Sequence, residues 1–154
     1  HLFKCKAIHH YIEYLVKKYY GDILVEDEYE VDLGYEFTMI MRPDIILDDR
    51  VVEIKTSDSN NIVVPHLEHE LQANFYAFVL AKDYYEIIYI TRGIDVCHFV
   101  KPVSIDLFNV LVKRARMLHK SIVSDIPPKK ELKYCRFCVY YDICLKEGND
   151  LYEK

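Results

Sequence analysis

The 154-residue chain has no tryptophan, only four glycines and five prolines, and no internal repeat or low-complexity tract. No run of 18 or more apolar residues occurs, so no membrane span is expected. No charged-then-apolar leader marks a secretory signal. The five cysteines are odd in number and three of them crowd near the end, which argues against a secreted disulfide framework. A cytoplasmic, reducing compartment is the expectation. The chain starts at His1 without methionine, and an upstream segment is expected to precede it.

What remains is ordinary for a globular domain with room for a core: 51% apolar and 29% charged residues. The net charge of −5 is unevenly placed. From Asp22 to Glu53 there are eleven acids and two arginines, and from Asn109 to Arg136 eight Lys or Arg against two acids. An acidic half able to hold a cation, beside a basic half able to track phosphates, is one reading. A solvated helix face followed by a basic loop is the other.

The densest signal is Arg42-Pro43-Asp44-Ile45-Ile46-Leu47 followed by Val51-Val52-Glu53-Ile54-Lys55. Two apolar runs flank an Asp48-Asp49-Arg50 turn, the pattern of a β-hairpin. Residues two apart on a strand share a face, so Glu53 and Lys55 project together and Ile54 opposes them. Asp44 can lie across the hairpin. Two carboxylates converging on one sheet face suit Mg²⁺ or Mn²⁺, with oxygen ligands from both acids and the Ile54 carbonyl. Such a cation can activate water against a phosphodiester, and Lys55 can hold that water or the developing charge. A surface hairpin with solvated charges gives the same pattern.

Around this hairpin the periodicities predict a helix over 2–20, strands over 23–33 and 37–40, and a meander of about four antiparallel strands with 44–48 and 51–55. A second helix is expected over 65–82, with Leu67, Leu71, Phe75, Phe78 and Val79 as its core stripe. Strands over 86–91 and 96–101 and a long helix over 104–123, opened by Ser104, complete the core. His9 and Glu13 are four apart on the first helix, and Gln72 and Tyr76 four apart on the second. Cys97 reads as a small buried hydrophobe.

After Pro127-Pro128 come Cys135, Cys138 and Cys144, a C-x2-C-x5-C tail. Three thiols at this spacing favour an iron–sulfur cluster or zinc. A fourth ligand could come from Cys5, Cys97 or a cysteine upstream.

In order, His9 with Glu13, Arg42-Pro43-Asp44, Glu53-Ile54-Lys55, Gln72-x3-Tyr76 and the cysteine tail resemble the RecB-like branch of the PD-(D/E)XK nucleases. The chain looks most like the CRISPR-associated Cas-four type and its viral relatives, with the AddB-type recombination nucleases next. The resemblance implies an α+β, restriction-endonuclease-like core: a mixed central sheet flanked by helices over residues 1–126, and a cysteine-bound cluster lobe over 127–154. It implies a metal held by His9, Asp44, Glu53 and the Ile54 carbonyl, with Lys55 catalytic and Gln72 and Tyr76 near the DNA. It also implies a [4Fe-4S] cluster on Cys135, Cys138 and Cys144, with zinc as the alternative occupant. In this family the first cluster cysteine stands well upstream of the histidine, which makes Cys5 the weaker fourth ligand.

The expected activity is Mg²⁺- or Mn²⁺-dependent hydrolysis of DNA, on single strands or ends. The expected setting is CRISPR spacer acquisition, recombination or viral replication, with partner proteins of those pathways. The rivals are a non-catalytic DNA-binding or assembly subunit of the same fold, and a zinc-stabilised interaction module. Oligomeric state is not encoded in any of these motifs.

Overall fold

The computed structural model describes residues 10–12, 14, 18, 24–25, 27–59, 61–91 and 95–125. Residues 10–12, 14 and 18 are helical. The strands are β1 (Leu24–Val25), β2 (Tyr29–Asp32), β3 (Thr38–Met41), β4 (Ile45–Ile46), β5 (Arg50–Ser57), β6 (Tyr84–Thr91) and β7 (Val96–Pro102). Helix α1 (Leu67–Val79) joins β5 to β6, and α2 (Ile105–Ser124) follows β7. Two compact units, His1–Arg116 and Met117–Lys154, divide the chain within α2. Among the described residues no helix is long and apolar enough to cross a membrane.

The main sheet has the order β1-β4-β5-β6-β7. β5 and β6 run parallel, with Glu53 opposite Ile87 and Lys55 opposite Tyr89, and the other pairings are antiparallel. The fold is therefore mixed α+β, with α1 as the crossover that a parallel pair requires. The hairpin expected over 44–55 is present. Ile45 pairs with Val52, Ile46 with Val51, and the Leu47 N–H donates to the Arg50 carbonyl at 2.9 Å.

The single four-strand meander is not. β2 and β3 form a separate two-stranded ribbon, and it is β1 that joins β4 at the edge of the main sheet. Pro43 carries no N–H and cannot extend the β2–β3 ladder toward β4, so pairing stops at Met41. The ribbon turns at Gly34, whose φ of +74° is a conformation glycine adopts without strain. Its N–H donates to the Asp32 carboxylate at 2.8 Å.

β5 is the buried strand of the sheet, and its two faces enter different apolar clusters. Val51 joins Ala73, Phe75 and Ala77 of α1 with Tyr85, Ile87 and Tyr89 of β6. Val52 and Ile54 pack on the other face with Ile45, Ile88 and Ile12. That alternation is the period-2 signature of a strand covered on both sides. Cys97 is partly buried against the first cluster.

Helix α1 is shorter than the expected 65–82, and its stripe differs. Leu67 is exposed at the amino-terminal turn, while Ala73, Asn74, Tyr76 and Ala77 are buried with Leu71 and Phe75. The broader burial arises because α1 faces two partners: the sheet on one side, and the start of α2 on the other. Phe108 of α2 stacks on Phe75 and Phe78, with centroids 5.8 and 4.1 Å apart. The fully buried Asn74 side chain donates to the Ser104 carbonyl at 2.9 Å and accepts its N–H at 2.7 Å. Ser104 thus opens α2 as its sequence position predicts, but is itself fixed by Asn74. Asn74→Ala strands both backbone groups of Ser104. It is expected to cost about 2 kcal/mol, read as a fall in Tm of roughly 4–8 °C.

Candidate metal and phosphate site

The two strands of the hairpin bring Asp44 and Glu53 together. Continuing the register that pairs Ile45 with Val52 puts Asp44 opposite Glu53. The Asp44 carboxylate accepts the Ile54 N–H at 2.6 Å. In a strand the N–H and C=O of one residue project to the same edge, so the Ile54 carbonyl also faces the Asp44 side. Glu53 and Lys55 share the α1 face, and Lys55 Nζ donates to Glu53 Oε2 at 2.6 Å.

Glu53 is the unusual member. It is 1% exposed, beneath α1 in the middle of the most buried strand. Burial, opposed by the Lys55 charge and reinforced by Asp44, pushes its carboxyl up to about 7. Oε1 is buried with no hydrogen-bond partner among the described residues. A half-satisfied carboxylate in a core is costly unless another positive group shares it. The donor set of Asp44, Glu53 and the Ile54 carbonyl is all oxygen, which suits a hard divalent cation. The orphaned Oε1 and this donor chemistry fit Mg²⁺ or Mn²⁺. Among the described residues no three His, Cys, Asp or Glu side chains cluster as metal ligands.

His9 and Glu13 lie outside the described residues, as do Cys5, Cys135, Cys138 and Cys144. Gln72 and Tyr76 are one turn apart on α1, and the Gln72 amide donates to the Tyr76 hydroxyl at 3.1 Å. The Tyr76 ring is part of the core, and Gln72 is partly exposed. Arg42 pairs with Glu28 of the ribbon side and remains largely exposed.

The residues that sequence reasoning missed stand next to Lys55. Tyr89 is its parallel partner on β6, and its ring is fully buried. The Tyr89 hydroxyl accepts the His66 N–H at 3.0 Å and lies 2.9 Å from His69 Nδ1. Burial first, then the Lys55 and His66 charges, hold His69 below the usual histidine range. Burial likewise raises Tyr89 above the usual phenol range, so it keeps its proton. A second tyrosine of the same strand face, Tyr85, donates to Glu70 at 3.3 Å, and Lys101 pairs with Glu70 as well. The two β6 tyrosines thereby pin the first turns of α1 over the sheet. The only forewarning was the tyrosine-rich β6 segment, since tyrosine combines an apolar ring with a polar tip.

No family model matches the chain, and no curated protein does. Among solved structures the chain is similar to SSO0001, with a TM-score of 0.69 and 22% sequence identity. The match covers 90% of this chain and 67% of that one. The likeness at this identity is one of fold: the mixed α+β arrangement that carries Asp44, Glu53 and Lys55 is shared with a known structure.

Proposed function

We propose that the chain is a divalent-metal-dependent DNA nuclease of the PD-(D/E)XK type, in its RecB-like branch, acting on single strands or ends. The observation that carries this reading is the buried Glu53 carboxylate, with one oxygen on Lys55 and the other without a partner among the described residues, across the hairpin from Asp44. A core seldom retains such a group without a use for it.

In this reading Asp44, Glu53 and the Ile54 carbonyl hold Mg²⁺ or Mn²⁺, and His9 completes the set. The bound cation supplies Lewis-acid stabilisation of phosphate charge and lowers the pKa of water. Lys55 is held at the site by Glu53 and donates hydrogen bonds to the attacking water or to a non-bridging phosphate oxygen. Hydrolysis adds that water across the phosphodiester: the new P–O bond forms, the bond to the leaving sugar oxygen breaks, and the leaving oxygen takes up a proton. Gln72 lies on the partly exposed side of α1, where it can meet a strand, with Tyr76 bracing its amide. Cys135, Cys138 and Cys144 hold a [4Fe-4S] cluster in the same reading, on the strength of their spacing. CRISPR adaptation and recombination are the pathways whose chemistry it suits.

The test is an end-labelled single-stranded oligonucleotide incubated with the protein in Mn²⁺, Mg²⁺ or EDTA. Shortened products with either metal and an intact strand in EDTA are expected. A strand that is bound but stays intact in both metals would instead identify a DNA-binding subunit.

A further inference from the structure

Helix α1 begins at Leu67 with His66 as its cap residue, whose side chain makes no capping hydrogen bond. The His66 N–H is taken by the buried Tyr89 hydroxyl, which also meets the His69 ring one turn later. The rings of His66 and His69 lie edge to face, 5.4 Å between centroids, and His69 is 5.6 Å from the Tyr89 ring.

These bonds point to one arrangement of the protons. The Tyr89 oxygen accepts from a backbone N–H, which cannot accept in return. A buried phenol keeps its own proton hydrogen-bonded, and His69 Nδ1 is the acceptor at hand. His69 Nδ1 is then the acceptor nitrogen, and the neutral ring carries its proton on Nε2. This ring is only partly buried, and burial first and the Lys55 charge second hold it below the usual histidine range. Tyr89 and Lys55 occupy paired positions on adjacent strands of the same sheet face. The result is a neutral N–H donor on the Lys55 face of the sheet, oriented by a tyrosine whose ring is fully buried.

We propose that His69 is a phosphate-contact residue of the nucleic-acid site, donating Nε2–H to a backbone phosphate beside the one engaged by Lys55, with Tyr89 as its positioning residue. This rests on the nuclease reading for the identity of the strand, but not on cleavage. A neutral donor suits this place: next to an ammonium, a second full cation would be repelled, while an N–H dipole is not. A purely structural Tyr89–His69 staple between β6 and α1 is the competing account.

The experiment separates them by which nitrogen matters. In His69→Asn the amide oxygen replaces Nδ1 and keeps the Tyr89 bond, but no donor reaches the Nε2 position. In His69→Gln the amide N–H reaches the Nε2 position and the Tyr89 bond is lost. Binding of a fluorescent single-stranded oligonucleotide is measured by anisotropy in Ca²⁺, beside KM and kcat in Mn²⁺ and Tm for each full-length variant. His69→Asn is expected to raise Kd and KM about tenfold, with kcat and Tm close to wild type. His69→Gln is expected to bind more tightly than His69→Asn while melting lower.

The opposite order, with His69→Asn binding and cleaving as wild type and His69→Gln merely less stable, overturns the proposal and leaves the nuclease reading standing. If wild-type protein binds the strand without cutting it, the nuclease reading fails and the anisotropy order still decides the role of His69. Absence of any strand binding by the wild type overturns both.

Discussion

Lys55→Ala is expected to lower metal-dependent DNA cleavage by on the order of 10³-fold while leaving strand binding within a few fold. The ammonium is the only cation paired with Glu53 among the described residues, and it shares the α1 face of β5 with that acid. In the proposed mechanism its removal deletes a donor to the water or the phosphate oxygen, an interaction strongest when charge develops in the transition state. An interaction made chiefly in the transition state contributes little to binding of the intact strand. Stability should change modestly and in a telling direction. Without Lys55 the Glu53 carboxyl loses its counter-charge and is pushed further up, so the variant loses more stability than wild type between pH 6 and pH 8. Single-turnover cleavage of a labelled strand, with thermal melting at both pH values, checks both halves. Cleavage at the wild-type rate would remove Lys55 from the chemistry.

The second large effect concerns Glu53 in the absence of divalent metal. Its carboxyl is raised to about 7 in the folded protein, whereas an unfolded chain ionises it near its ordinary value. A raised carboxyl favours the folded state while it stays protonated. That contribution is fully present below the unfolded value and is lost as pH rises through about 7. Wild-type protein in EDTA should therefore lose stability between about pH 5 and pH 8 relative to Glu53→Gln, which does not ionise. At pH 8 the substitution is expected to stabilise by about 3 kcal/mol, and near pH 4.5 the two proteins should melt together. Mn²⁺ should reverse the order at pH 8, because it stabilises only the protein with the intact carboxylate. The same substitution should abolish cleavage. A variant that is less stable than wild type at pH 8 in EDTA would mean that Glu53 is satisfied in the apo protein.

Much of this site could be read along the chain because its parts are local. The acids at 44 and 53 and the lysine at 55 lie within one hairpin, and the period of a strand puts Glu53 and Lys55 on one face without any tertiary knowledge. The Ser104 start of α2 was legible for the same reason, since a cap is a matter of neighbouring residues. The separation of the β2–β3 ribbon from the main sheet was not, although Pro43 was there to see. Antiparallel neighbours in sequence usually pair in space, and nothing local says that β1 reaches past the ribbon to β4. The depth of Glu53 was equally hidden: a carboxylate on a strand reads as a solvent-facing position until α1 is laid over it. The His66–His69–Tyr89 cluster joins residues 20 and 23 apart in sequence through a parallel pairing, and sequence spacing carries no sign of it. The wide burial of α1 depends on α2 arriving at Phe75, Phe78 and Asn74. That docking is a long-range event, and the apolar stripe alone picked out one face of two.

A crystal of the full chain soaked in Mn²⁺ and measured at the manganese absorption edge tests the central claim most directly. An anomalous peak about 2.1 Å from carboxylate oxygens of both Asp44 and Glu53 is the predicted result. Manganese confined to surface acids, with Glu53 still closed on Lys55 and nothing bound at its second oxygen, would contradict it.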